Sequence, residues 1–472
     1  MWSAAWTLWT VAALCYVWSG HVTLVLCDEV PPGASQPGLV GVNASDPQYL
    51  VYEVRQLEVV LGQEEQLLGT PDTERHLKEK ERLLQRLDKK QGTWNEHHPR
   101  HRLLEALRGF SAYAETQQTE LDRLKGLYSH VSKKQKRLLE REVKYSHKFS
   151  EIAQLLHKNQ QVCDDIVRNG MEFYGIGQQE LDQHTQSMKA AGRAADRVSV
   201  SQALKHFVRD WAASGSNERD AAFPRILNTL KELFPSGGQE EEVKVLLPGA
   251  GLGRLGHEVA KLPGFQATNN EWSTYQNLAY RLLSHLPSYN TTSTIHPFID
   301  SWSHHRSTAD MLRPISFPEV PVDHSKVVLV EGDFTTAVFH NDDNNDNDKT
   351  NNQEGLVVVL FDVVVTHFFI DTARNLVSYF DTIARVLRPG GYWVNFGPLL
   401  YGTAPFVQLS LEEIVAVVEG MGFEFLEQRE EDIGKATIPG KRVYGVEAVY
   451  GFDERALTRN AYEAQFWVAR RG

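Results

Sequence analysis

The sequence predicts an α/β domain built on a parallel sheet and preceded by a long helical region. Three observations carry that expectation. Over the C-terminal half, apolar and branched runs bounded by Gly or Asp alternate with helical stretches. From about residue 49 to about residue 200, Leu, Tyr, Val and Ile recur instead at three- and four-residue spacing. A glycine-rich turn directly follows one of the apolar runs, where an α/β domain approaches a ligand.

The 472 residues suffice for two or three domains, and 42% hydrophobic content is that of an ordinary globular protein. A net charge of −12 argues against a nucleic-acid binder, which usually shows a basic face. The cysteines are Cys15, Cys27 and Cys163. Two lie in the apolar N-terminus, so the body cannot build a disulfide framework or a cysteine zinc site.

Residues 1–27 contain no Lys, Arg, Asp or Glu. That segment is long enough to span a bilayer and also resembles a signal peptide, although the basic n-region is missing. Membrane association through it, secretion, and an extension of no consequence all stay open. The sequons at Asn43 and Asn290 matter only if the chain enters the secretory pathway. Residues 28–48 read as a Pro- and Gly-punctuated linker.

The helical region, 49–200, includes "ERHLKEKERLLQRLDKK", with Thr or Asp of "TPDTERH" as its cap. "GTWNEHHPRHR" interrupts the helices near Pro99. The simplest reading is an amphipathic bundle whose charges form its solvated face. Residues 201–472 continue helically to Pro235 and then change period. "VKVLLPGAG", "VVLVEGDF" and "GLVVVLFDVVVTHFF" read as buried strands, and "TYQNLAYRLLSHL" and "NLVSYFDTIARVL" as helices between them. Residues 340–355, "HNDDNNDNDKTNNQEG", form a polar insertion too poor in apolar groups to order itself.

After the first strand, Gly249, Gly251 and Gly253 follow as G-x-G-x-G. Glycines let the backbone turn sharply and approach a ligand with no Cβ in the way. Nicotinamide, flavin and S-adenosyl-L-methionine (SAM) domains share such a turn. Glu271, about twenty residues on, ends a short segment where an acid accepts hydrogen bonds from ribose hydroxyls. Asp333, after a third strand, stands where methyltransferases carry an acid near the adenine amino group, although alone it reads as a turn residue. Together the three favour SAM over a dinucleotide.

"PGAGLGRLGHEVA", "NNEWS", "HPFIDSWSHHRSTADMLRPISFPEV", "GDF", "FFIDTARN" and "LRPGGYWVNFGPLLY" occur in this order. The set resembles the carnosine N-methyltransferase (N2227-like) family over roughly residues 100–472. That resemblance implies a Rossmann-like class I SAM-dependent methyltransferase domain behind an N-terminal helical region. It implies methylation of an imidazole nitrogen of carnosine, a small-molecule dipeptide, in a cytosolic or nuclear enzyme. Carried over by motif, the SAM contacts are Gly249, Glu271, Asp333 and Phe334, with Arg209 reaching in from the helices. His206 stands where the family has Gln and His367 where it has Cys.

A methyl transfer aligns a neutral nucleophile in line with a sulfonium methyl and keeps water away. Asp371 of "FFIDTARN" matches the acid that contacts the imidazole, where accepting one N–H would fix the tautomer. Read alone, Asp371 is a helix N-cap candidate for the following run. Gly402 replaces a substrate-contacting His after "GPLLY". Of two tyrosines expected near the C-terminus, Tyr462 is kept and Asn460 stands at the other position. These departures leave other imidazoles, or a peptide or protein histidine, as alternative acceptors. A non-catalytic SAM-binding scaffold is a further alternative.

His304 and His305 lack the companions of a metal site, and methyl transfer to nitrogen needs no metal. Trp272, Phe368, Phe369 and Trp393 read as core rather than as cofactor stackers.

Overall fold

The computed structural model describes residues 13–18, 21–26, 73–237, 241–285, 292–337, 339, 350–351, 357–358, 360–428 and 435–472. The linker 28–48, the sequons at Asn43 and Asn290, and the insertion 340–355 apart from Thr350–Asn351 lie outside them. Residues 1–65 form one unit and 66–472 another. Within the first, strands β1 (Ala13–Trp18) and β2 (His21–Leu26) pair antiparallel in register Ala13↔Leu26 to Trp18↔His21. Among the described residues, no helix is long and apolar enough to cross a membrane.

In the second unit the further strands are β3 (Val243–Pro248), β4 (Phe265–Glu271), β5 (Ser293–Ile295), β6 (Ile315–Phe317) and β7 (Val327–Glu331). They are followed by β8 (Thr350–Asn351), β9 (Val357–Val358), β10 (Phe361–His367), β11 (Leu387–Gly397), β12 (Phe423–Phe425), β13 (Tyr444–Val449) and β14 (Ala461–Arg471). The main sheet runs β12-β14-β11-β10-β3-β4-β7, with β13 also on β14. The members from β11 to β7 are parallel, and β14 is antiparallel to β11. Burial explains the apolar runs: Val245, Leu246, Val363, Val364 and Val394 have no exposed surface, because helices cover both faces.

β4 is an exception, since "FQATNNE" buries Asn269 and Asn270. Both NH2 groups find partners, Asn269 Nδ2 donating to the Gly253 carbonyl at 3.3 Å and Asn270 Nδ2 to the Val330 and Gly332 carbonyls, while the buried Asn269 Oδ1 has none. The chain leaves β3 toward β4 and β7, then returns to place β10 on β3's other side. The carboxyl ends of β3 and β10 therefore flank the switch point, the ligand crevice of open α/β sheets.

Pro99 opens the helix Pro99–Ser111 rather than ending one, because its missing N–H costs nothing in the first turn and His98 caps the helix from the preceding position. Thr73 stands at the N-cap of Glu74–Arg86, but its hydroxyl bonds His76 Nδ1 at 2.6 Å instead of a backbone amide. This helix lies against the edge strand β7: His76 Nε2 donates to the Val327 carbonyl at 2.8 Å, and Arg75 reaches Thr268. Leu107, Ile166 and Val200 from the helical region share one core with Leu278 and Leu282 of the helix Thr274–His285.

Candidate active site

The glycine turn adopts backbone angles and close contacts that only glycine accommodates. Gly249, Gly251 and Gly253 all have φ between 58° and 78°. A Cβ on Gly249 would overlap the Phe369 ring, and one on Gly253 would stand 2.7 Å from Asn269 Nδ2. The Glu271 carboxylate, buried at the end of β4, accepts the Gly251 amide at 2.9 Å and the Ser273 amide at 2.7 Å. Burial raises its pKa, and those two amides act against the rise.

The helical region reaches the same turn through a short π-helix, Phe207–Trp211, that follows the helix Arg197–His206. Asp210 accepts the Leu252 amide at 2.9 Å, and the buried Trp211 indole donates to the Leu252 carbonyl at 2.8 Å. Leu252 is thus held at both backbone groups. His206 Nδ1 lies 3.3 Å from the Asp210 carboxylate, and a Cβ on Gly251 would stand 3.1 Å from that nitrogen. Arg209 bonds Glu218 at 2.6 Å and lies 4.4 Å over the Tyr450 ring. Asp210, Trp211 and Glu218 carry no local spacing signal, since their partners in the sheet domain are 41 to 233 residues away.

Asp333 is exposed, and its Oδ1 accepts the Thr335 amide and hydroxyl, a local turn bond. Phe334 is buried, edge-on to Phe369 at 5.5 Å and to Tyr379 at 5.6 Å, while Phe369 and Tyr379 stack at 4.6 Å. This aromatic wall joins the β7 turn to Gly249. Trp393 and Phe369 are buried as expected, but Trp272 is not core: it is 57% exposed, with the Arg102 guanidinium 4.0 Å over its ring. It leaves β4 just past the carboxyl end, where the sheet no longer covers it.

On the β10 side, the His367 ring sits among Phe223, Phe368 and Phe396, and burial lowers its pKa to about 4. Its Nε2 is buried without a hydrogen-bond partner. Phe368 has φ 51°, rare for a bulky residue, and gives its amide to the Phe396 carbonyl. Asp371 is not a helix cap. It lies in the 3-10 turn Ile370–Thr372, Asn375 holds the N-cap position of the helix Leu376–Val386 without a side-chain capping bond, and the Asp371 Oδ2 accepts the Leu400 amide at 3.2 Å. Burial pushes its carboxyl up to about 6.

Tyr462 stands on β14 before Gln465, the partner of Gly397, and so projects past the carboxyl end of β11. Asn460 is exposed, and its carbonyl accepts the Tyr450 amide. A Cβ on Gly402 would meet nothing within 4 Å. His305 Nε2 bonds the Ser301 carbonyl, and among the described residues no group of three or more metal-ligand side chains gathers.

A nucleoside-bearing methyl donor would meet here a turn with no Cβ at three positions and the buried Glu271 carboxylate at the end of β4, while the Cβ directions of the three glycines are taken by Phe369, His206 and Asn269.

The carnosine N-methyltransferase family matches residues 186–472. The carnosine N-methyltransferase of Mus musculus is 30% identical over 342 residues, covering 70% of this chain and 80% of its own. That of Schizosaccharomyces pombe is 31% identical over 291 residues, covering 57% and 70%. Among solved structures, phosphoethanolamine N-methyltransferase 2 of Haemonchus contortus in complex with S-adenosyl-L-methionine aligns at 15% identity and a TM-score of 0.28, covering 52% of each chain. Magnesium protoporphyrin IX methyltransferase of Synechocystis aligns at 9% identity and 0.29, covering 57% of this chain and 94% of its own. Scores this low carry no weight, and the fold rests on the sheet order itself. With its family match across more than half of its length, the chain belongs to the carnosine N-methyltransferase family and is a SAM-dependent N-methyltransferase.

Proposed function

We propose that the enzyme methylates an imidazole nitrogen of a histidine-containing dipeptide, with carnosine as the acceptor and anserine as the product. The observation that carries this reading is Asp371, a carboxylate buried at the switch point beside the glycine turn and tied to Leu400. Gly249, Gly251 and Gly253 would bring backbone against the SAM methionine and ribose. Glu271 would take the ribose hydroxyls, and Asp333 and Phe334 the adenine. Arg209, His206 and His367 would close the site from the helical side and from β10.

The donor supplies an electrophilic methyl group on sulfur. Asp371 accepts the acceptor's imidazole N–H and so fixes the tautomer whose other nitrogen carries the lone pair. That nitrogen forms its bond to the methyl carbon as the carbon–sulfur bond breaks, and the sulfonium becomes a thioether. The ring is then an imidazolium, and its N–H proton passes to Asp371. A carboxyl pushed up to about 6 is mostly ionised at neutral pH and basic enough for that proton. Tyr462, Asn460 and the open Gly402 would border the dipeptide.

Gly402 also favours a second reading, in which the acceptor is a histidine within a larger peptide. Its Cβ direction is empty, and Leu400 and Phe406 beside it are 63% and 70% exposed. The test is incubation of the full chain with SAM and either carnosine or a histidine-containing peptide, read by mass spectrometry. A single-methyl gain on carnosine that Asp371→Asn abolishes supports the dipeptide reading. A gain on the peptide alone moves the acceptor, and no gain on any imidazole sinks both.

A further inference from the structure

The helix Lys133–Val143 joins the end of the helix Tyr113–Ser129 to the start of Tyr145–Tyr174 and supplies nothing to the methyl-transfer site. It buries none of its residues, so core packing does little to fix it. Local devices hold it instead. Ser132 and Gln135 form a capping box, the Ser132 hydroxyl accepting the Gln135 amide while the Gln135 side chain accepts the Ser132 amide at 3.2 Å. On its inner side Lys136 lies over the Tyr128 ring, and Glu140 accepts the Tyr128 hydroxyl at 2.8 Å and the Ser146 hydroxyl at 2.7 Å.

The outer side is basic, with an apolar residue set into it. Lys134, Arg137, Leu138 and Arg141 follow the spacing that places four side chains on one face of a helix, and all four are exposed. Leu138 is 50% exposed, and Leu127 and Val143, near the ends of the two helices, are 54% and 61% exposed. From Lys133 to Lys144, Lys133, Lys134, Lys136, Arg137, Arg141 and Lys144 stand against Glu140 and Glu142 alone, in a chain whose net charge is −12. Both acids are already engaged, Glu140 by Tyr128 and Ser146, and Glu142 by Arg141 at 2.6 Å. Lys133, Lys134, Arg137 and Lys144 have no ion-pair partner among the described residues.

A face of this charge attracts phosphates and carboxylates. The leucine within it selects among their carriers. An aliphatic side chain gains nothing from the phosphates of a nucleic acid, whereas the boundary between lipid headgroups and acyl chains accommodates cations and leucine together. Stable attachment to a membrane takes two signals, and residues 1–27, which carry no Lys, Arg, Asp or Glu, offer an apolar one in the same chain. We propose that the outer face of the helix Lys133–Val143 docks the enzyme on an anionic lipid surface, with Lys134, Arg137 and Arg141 at the headgroups and Leu138 at the acyl boundary. Attachment through this face sets where the reaction takes place and leaves its chemistry untouched.

The experiment measures co-sedimentation of the full chain with phosphatidylcholine vesicles prepared with and without phosphatidylserine, at low and high salt. The unaltered chain prefers the anionic vesicles, and salt weakens that preference. Replacing three cations together, K133Q/K134Q/R137Q, lowers affinity for the anionic vesicles on the order of a hundredfold, about fivefold for each basic residue, and leaves binding to neutral vesicles as it was. Leu138→Ser lowers affinity severalfold at both salt concentrations, a loss that a purely electrostatic contact would not show. Both variants keep the methyl transfer and the melting temperature of the unaltered chain, because the altered side chains are exposed and outside the core. Equal binding of the unaltered chain to both kinds of vesicle, or undiminished anionic binding by the triple variant, overturns the proposal. So does a chain that ignores vesicles but captures polyglutamate or single-stranded DNA through these cations, which gives the face to an acidic polymer. Self-association lost in Leu138→Ser, again without vesicle binding, gives the face to a second copy and equally overturns it.

Discussion

Glu271 and Gly251, twenty residues apart in the chain, are joined by a hydrogen bond of 2.9 Å from the glycine amide to the carboxylate. The acid proposed above to take ribose hydroxyls also braces the glycine turn. Glu271→Gln keeps the shape but replaces one accepting oxygen with a donor facing an amide N–H. Leaving that partner unsatisfied costs about 1–3 kcal/mol. SAM affinity measured by calorimetry is expected to fall roughly tenfold or more, with a lower melting temperature even in the absence of SAM.

As the proposed imidazole-contacting acid, Asp371 is expected to set the acid limb of the reaction. Its pKa is raised by burial to about 6, so the carboxylate is present above that pH and is lost as pH falls through it. The acceptor imidazole titrates nearby, at about 6.5, and the two groups share the observed limb. Asp371→Asn is expected to lower kcat by about a hundredfold or more, in the range of a lost general base. What activity remains follows the acceptor's titration alone. A variant with unchanged kcat would remove Asp371 from the mechanism.

Gly402 has room to spare, and its φ is not among the positive ones. Gly402→His should therefore leave the melting temperature close to that of the unaltered chain, as for a surface change of within about 0.5 kcal/mol. If this opening is part of the acceptor site, the added imidazole lowers the carnosine KM. A raised KM at unchanged stability would show that the opening is used by a bulkier acceptor.

His257 ties stability to pH. It is buried against Trp211, shares a hydrogen bond of 2.9 Å with the Tyr280 hydroxyl, and is lowered to about 4 by burial. With a folded pKa below the unfolded value of about 6.5, the unfolded chain takes up the proton first as pH drops. Stability is therefore lost between about pH 6.5 and 4. Melting curves should decline over that window, and less steeply in His257→Gln, which keeps a side-chain partner for Tyr280 but has no such titration.

The parts of the site that could be read from the chain alone are those whose partners are close in sequence or set by a strand end. Gly249, Gly251 and Gly253 follow an apolar strand directly, and Glu271 and Asp371 stand at the carboxyl ends of the next strand and of β10. Asp210 and Trp211, which bond a loop over 40 residues away, and Glu218, which bonds Gly451, leave no periodic trace in the chain. β4 was hard to recognise as buried because asparagines replace aliphatic residues where amides bond across to neighbouring backbone. Trp272 departs from the expected burial for the opposite reason. Aromatic character reads as burial, but a residue one step past a strand end can be stripped of cover.

The helix Glu74–Arg86, lying along the edge strand β7, has a consequence for how the protein can be subdivided. Its residues precede the family-matched segment, yet His76 occupies a backbone carbonyl on the edge of the catalytic sheet. A fragment trimmed to residues 186–472 would keep every motif of the chemistry and expose a row of unpaired strand groups, a template for self-association. The family-matched stretch is thus shorter than the stretch that covers the edge of its own sheet.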